Sequence, residues 1–233
     1  MLRFVGIGAQ KSGTTWLYEM LRLNPELSFP AGKEVHHWDR PPVRTLEEYK
    51  DLFNTDGICG EITPAYSFLP IETIGEIFKH FPDLRIIYLM RNPIERAWSS
   101  SRMALSRAEM LPIEASDQWF IDHFNSAGSL ARGDYQKCIQ NWRLFYPRSS
   151  IALYRYEQIL NEPRQLLKAV CDHIGANSHY VDGLDDQTLK QQIFKSIEIP
   201  LRESLKPELR RLYQDKIQNL STYLSEDLTA WQI

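Results

Sequence analysis

Two glycines, Gly8 and Gly13, enclose Lys11 and Ser12, and Thr14 and Thr15 follow the second. The apolar stretch at residues 4–7 leads into them, and a segment with Trp16, Leu17, Met20 and Leu21 at helical spacing follows. Strand, glycine loop and helix N-terminus together offer free backbone N–H groups at the positive end of a helix, which suits a phosphate or similar anion. The common phosphate loop reads G-x-x-x-x-G-K-[ST]. Here the lysine precedes the second glycine, so Lys11, Ser12, Gly13, Thr14 and Thr15 form a different anion loop.

A second chemical group lies downstream. Metal-dependent nucleotide hydrolases place a carboxylate at the end of another strand to help hold magnesium. In this chain the best strand, residues 84–90, runs instead into Arg91, a permanently charged planar fork suited to an anion. Ser99 follows eight residues later, two turns into a helix opened by Asn92-Pro93. Taken singly, Arg91 reads as one half of an ion pair and Ser99 as a small helix residue. Taken with the loop, they specify a ligand with anionic groups at two separated places and no metal. A nucleotide with a 5′ diphosphate-like end and a separate 3′-phosphate fits that description.

The third group is K-E-V-H-H-W-D, residues 33–39. In an extended backbone Glu34, His36 and Trp38 would share one face, with His37 and Asp39 on the other. The adjacent histidines are poorly placed to bind one ion together, so no metal site is expected.

Positioning these groups requires strands alternating with helices. Strands are expected at residues 4–7, 57–62, 84–90 and 151–156, and helices at 14–23, 46–53, 71–81, from 93, 135–145, 163–174 and 207–224. Residues 107–133 read as the least regular part, and 176–206 as mostly polar and hard to assign. Alternation of this kind implies an α/β protein: a P-loop-like three-layer fold with a central parallel sheet flanked by helices. Neither a repeat nor a linker interrupts it, so residues 1–233 are expected to form one domain. Tyr135 and Trp142 are expected to pack their helix against the sheet. Phe194 is a candidate to stack on an adenine ring, while Lys190, Lys195, Arg202 and Lys206 read as a solvated charged face.

A net charge of −3 counts against a general nucleic-acid binder, which is normally basic. Three well-separated cysteines without metal-type spacing suggest reduced thiols. No stretch reaches the ~18 apolar residues of a membrane span, and the N-terminus does not read as a signal peptide. A cytoplasmic protein is expected.

The paired segments K-S-G-T-T-W-L-Y and R-N-P-I-E-R-A-W-S-S resemble the donor motifs of sulfotransferases that use PAPS (3′-phosphoadenosine 5′-phosphosulfate). The resemblance implies that Lys11, Ser12, Gly13, Thr14 and Thr15 hold the 5′-phosphosulfate, and that Arg91 and Ser99 hold the 3′-phosphate. It continues through residues 132–147 and 151–163. K-E-V-H-H-W-D resembles the E-V-H-F-F-D stretch of the heparan-sulfate (Golgi-type) branch. This implies Glu34 as the catalytic base and His36 and Asp39 as acceptor-binding residues. G-E-I-T-P-A-Y-S-F similarly resembles that branch's E-K-[ST]-P-x-Y segment at Glu61, Thr63, Pro64 and Tyr66. Ile62 stands where the branch has a lysine, which, with the negative net charge, counts against a heparan-like polyanionic acceptor.

The implied reaction carries the sulfuryl group from PAPS to a hydroxyl or amine by in-line displacement. Glu34 takes the proton, aided by a raised pKa in a partly dry cleft, and Lys11 stabilises the departing 3′,5′-ADP. His36 is the rival base, since its ordinary pKa lies nearer neutrality. The acceptor is expected to be a small molecule, lipid or carbohydrate. The alternatives are a small-molecule kinase with an unusual phosphate loop, and a nucleotide-binding module without catalysis.

Overall fold

The computed structural model describes residues 1–190 and 199–232. These residues group into two compact units, one comprising 1–90 and 140–193 and the other 91–139 and 194–233. The first unit contains the whole sheet. Its strands are β1 (Leu2–Gly8), β2 (Leu27–Ser28), β3 (Ile58–Ile62), β4 (Arg85–Met90) and β5 (Ile151–Arg155). They lie in the order β2-β3-β1-β4-β5, with every pairing parallel. The expected central parallel sheet is therefore present. Its strands read as apolar runs because both faces are covered: in β1, Phe4, Val5 and Ile7 are all buried.

On one face, α1 (Thr14–Leu21), α8 (Tyr156–Asn161) and α9 (Pro163–Ile174) pack Trp16, Leu17, Met20, Ile159, Leu166, Leu167 and Val170 onto Phe4, Ile62, Ile87 and Leu89. On the other side of the sheet lie α2 (Leu46–Leu52) and α3 (Ile71–His80), with buried Tyr49, Ile74 and Ile77. Trp142 of α7 (Tyr135–Arg143) is fully buried there and its indole N–H donates to the Tyr66 carbonyl at 3.3 Å. Tyr146 donates to the Phe81 carbonyl at 2.9 Å. The result is the three-layer arrangement expected.

The second unit is helical. It includes α4 (Pro93–Arg107), α5 (Asp117–Asn125), α6 (Ala127–Arg132) and α11 (Lys206–Leu224). Asn92 caps α4, accepting the Ile94 N–H at 3.0 Å, and proline occupies the first turn as the sequence implies. Arg96 is fully buried between helices, donating to the Ser129 carbonyl at 2.9 Å and the Tyr213 hydroxyl at 3.3 Å.

Most boundaries fall within two residues of expectation, and α9 coincides with residues 163–174. Residues 107–133 differ: they form α5 and α6, capped by Ser116 and Ser126. Their helical signal is weak because each is short, and burial of Phe120 and Phe124 supplies what propensity does not. The sequence also gave no sign of β2, whose two residues carry no periodicity. Between residues 176 and 190 the chain forms the short helix α10 (Asp186–Leu189) after a 3₁₀ turn. Phe194 and Lys195 lie outside the described residues. Arg202 has a structural role, bonding the Pro112 and Ala115 carbonyls and Asp117.

Candidate active site

The loop between β1 and α1 sits at the carboxyl edge of the sheet, the edge at which open α/β sheets bind ligands. Gly13 is the N-cap of α1 at φ 87°, a left-handed conformation that favours glycine. A Cβ there would also lie 2.3 Å from Ile159 Cδ1. Lys11 is held at φ 70°, uncommon for a residue with a side chain. The Ser12 hydroxyl is fully buried and, among the described residues, has no hydrogen-bond partner. Among the described residues no side chain caps the first turn of α1. The loop is thus a shaped cradle, with a buried hydroxyl that pairs with no described residue.

Residues 33–39 approach the same edge, pinned by the segment that follows β3. The Glu34 N–H donates to the Ile62 carbonyl at 3.0 Å. The Val35 N–H donates to Thr63 Oγ1 and the His37 N–H to the Tyr66 hydroxyl, both at 3.1 Å. Glu34 and His36 are both left-handed, at φ 63° and 56°. These two kinks break the alternation expected of an extended strand. His36 and Asp39, which alternation would send to opposite faces, meet instead: His36 Nδ1 lies 2.9 Å from Asp39 Oδ2. His36 Nε2 lies 3.2 Å from Arg40 Nη2 and 3.5 Å from Glu34 Oε2.

Glu34 is ion-paired with Lys33 and leaves 46% of its side chain exposed. Burial would push its carboxyl up, but Lys33 and His36 together outweigh burial and hold it below the ordinary value. The raised pKa expected from a dry cleft is therefore corrected: two neighbouring bases keep Glu34 ionised. His37 behaves as a packing residue, stacked on the Tyr49 ring at 4.1 Å with its pKa lowered by burial and by Arg44.

The raised carboxyl is Glu61, to which the sequence assigned no role. It is buried, and burial pushes it up to about 7 against the opposing pull of the Tyr49, Tyr66 and Thr63 hydroxyls. Glu61 and Ile62 point to opposite faces of β3. Ile62 is fully buried in the core beneath α1, so position 62 supplies apolar packing where the heparan-sulfate branch carries a lysine.

Arg91 and Ser99 belong to the second unit. Arg91 pairs with Glu95 through Nε at 3.0 Å and Nη2 at 2.9 Å, and its carbonyl accepts from Tyr135 at 2.7 Å. Ser99 is buried on α4, one turn beyond Glu95 on the stripe that Arg91 begins. Among the described residues, no three His, Cys, Asp or Glu side chains are grouped to hold a metal ion. Nor is any described helix long and apolar enough to cross a membrane.

A parallel sheet with a glycine-bounded loop between its first strand and first helix defines a P-loop-like fold. Within that class the chain belongs to the sulfotransferase domain family, whose model matches residues 3–220. Heparan sulfate glucosamine 3-O-sulfotransferase 6 of Mus musculus is 32% identical over 175 residues, covering 72% of this chain and 51% of that protein. Heparan sulfate glucosamine 3-O-sulfotransferase 3B1 of Homo sapiens is 30% identical over 178 residues, covering 72% and 45%. The chain thus spans about half the length of the curated relatives it matches. A solved sulfotransferase from Alicyclobacillus acidocaldarius shares the fold at a TM-score of 0.78 and 22% identity, covering 100% of this chain and 99% of that one. Mouse sulfotransferase SULT7A1, solved in complex with PAP, does so at 0.56 and 16%, covering 95% and 84%.

Proposed function

We propose that this chain transfers the sulfuryl group of PAPS to a hydroxyl, or an amine, of a small-molecule, lipid or carbohydrate acceptor. The observation that carries this reading is the donor loop of a sulfotransferase-family chain, in which a buried Ser12 hydroxyl and a left-handed Lys11 stand at an uncapped helix N-terminus. The acceptor oxygen forms a bond to sulfur as the bond from sulfur to the 5′-phosphate oxygen breaks, leaving 3′,5′-ADP. The acceptor's proton passes to Glu34. Lys11 and the loop N–H groups take up the charge that grows on the departing phosphate. Arg91 and Ser99 bind the 3′-phosphate, and the phosphate displaces or shares the Glu95 contact.

Glu34 is favoured over His36 as base because its neighbours hold it ionised and it is partly exposed, whereas both ring nitrogens of His36 are engaged, one by Asp39 and the other by Arg40. His36 and Asp39 instead orient the acceptor. The reaction is proposed to need no metal, since Arg91 follows β4 where metal-dependent hydrolases need a carboxylate. A cytoplasmic setting belongs to the same proposal, supported by Cys59, Cys138 and Cys171 being buried free thiols.

The test is calorimetry of 3′,5′-ADP against 5′-ADP in EDTA, on wild type and Arg91→Ala. A clear preference for the 3′-phosphate, lost in the variant, is the expected result. Equal binding of the two nucleotides would overturn the reading and favour an ATP-dependent kinase. Release of 3′,5′-ADP from PAPS is then followed with an N-sulfated glucosamine oligosaccharide, a phenol and a long-chain alcohol as probe acceptors.

A further inference from the structure

Residues 34–37 hold two strained backbone conformations in succession, and such conformations persist only where the surroundings over-determine them. Three of the segment's backbone amides are held by residues 62–66. The Ile62 carbonyl, the Thr63 hydroxyl and the Tyr66 hydroxyl receive the amides of residues 34, 35 and 37 in turn. Each hydroxyl has one proton of its own to place, and both face one buried group. Thr63 donates to Glu61 Oε2 at 3.3 Å, and the Tyr66 hydroxyl acts on the same carboxyl, drawing its proton affinity down. A third hydroxyl, that of Tyr49, donates to Glu61 Oε1 at 2.6 Å, and its ring stacks on His37. One carboxylate therefore gathers the Thr63 and Tyr49 hydroxyls, with Tyr66 beside them.

The geometry points to Glu61 as a positioning residue whose ionised carboxylate locks the Glu34–His37 segment in place, and whose protonation releases it. This rests on Glu34 being the base. An ionised carboxylate accepts from several hydroxyls at once, whereas a protonated one must donate through one oxygen. Thr63, Tyr66 or Tyr49 must then turn its own proton away, and the grip on the amides of residues 35 and 37 loosens. The titratable groups facing Glu61 are Tyr49 from α2, Tyr66 from the turn after β3, and Asp39 from the gripped segment. Both tyrosines are held well above their ordinary values by burial and by Glu61, so they stay neutral donors. Burial sets Glu61 at about 7, so the lock works in the neutral range.

The test follows the Val35 and His37 amides of ¹⁵N-labelled protein by NMR from pH 5.5 to 8.5. In wild type both signals should move together with a midpoint near neutrality. Their pH-corrected exchange should slow by about tenfold above it, the size of one lost charge-assisted hydrogen bond. In Glu61→Gln the step should vanish, with both amides at the low-pH values and melting at pH 8 no lower than wild type. Tyr49→Phe removes one donor from the carboxylate, so it should shift the midpoint upward; this keeps the idea testable if the glutamine variant folds poorly. Glu34→Gln should keep the step while abolishing PAPS turnover. Turnover surviving in Glu34→Gln would sink the base assignment alone. A step that persists in Glu61→Gln, or disappears in Glu34→Gln, would overturn the lock.

Discussion

Exchanging Glu61 for glutamine should make the protein relatively more stable in alkali than in acid. In the folded chain the Glu61 carboxyl titrates at about 7, against an ordinary value of 4.5, with burial the dominant cause. The folded value is the higher one, so the native state holds the proton more tightly than the unfolded chain does. The stability this group contributes is therefore fully present below about 4.5 and is lost as the pH rises through about 7. At ~1.4 kcal/mol per pH unit, that gap corresponds to about 3 kcal/mol of folding free energy. Glutamine matches the side chain in size and stays neutral throughout, so it should lack this slope. The stability difference between variant and wild type should swing by about 3 kcal/mol in favour of the variant between pH 4.5 and 8.5. For a chain of this length that corresponds to roughly 6–12 °C in melting temperature. Thermal and urea unfolding at both pH values, read by tryptophan fluorescence with unchanged urea slopes, measures it. A difference of the same size at both pH values would refute the reasoning, because Glu61 would then ionise no less readily folded than unfolded.

Gly13→Ala combines a left-handed backbone at φ 87° with a Cβ 2.3 Å from Ile159 Cδ1, and should cost about 2–4 kcal/mol in urea unfolding and weaken 3′,5′-ADP binding. Lys11→Ala removes a cation from the leaving group; PAPS turnover should fall by ~10²–10³ while unfolding changes little. Trp142→Ala empties a fully buried site and breaks the bond to the Tyr66 carbonyl, and should cost about 3–5 kcal/mol in chemical denaturation.

Much of the fold could be read in order along the chain, because it depends on short-range physics. The apolar runs of β1, β4 and β5 require burial on both faces, Asn92-Pro93 starts α4, and Pro163 with Gly175 bounds α9. The donor loop was legible for the same reason: its glycines, lysine and hydroxyls lie within eight residues between a strand and a helix. The residue types of the 33–39 segment were equally plain, but their arrangement was not. Alternation placed His36 and Asp39 apart, and two left-handed residues bring them together, which no local pattern announces. The order in α5 and α6 came from burying Phe120 and Phe124 rather than from propensity.

Electrostatics depended most on the tertiary structure. Glu34 and Glu61 are the same residue type, yet Lys33 and His36 pull one down while burial pushes the other up. Burial raises Glu61 because the folded sheet encloses it; the charge of Asp39, twenty-two residues earlier, adds to the push, while the Tyr49 hydroxyl, twelve residues earlier, pulls the other way. A carboxyl's affinity for its proton is a property of the groups around it. Those groups are gathered only when the sheet has formed and β3 has brought residues 61–66 under the segment that carries Glu34.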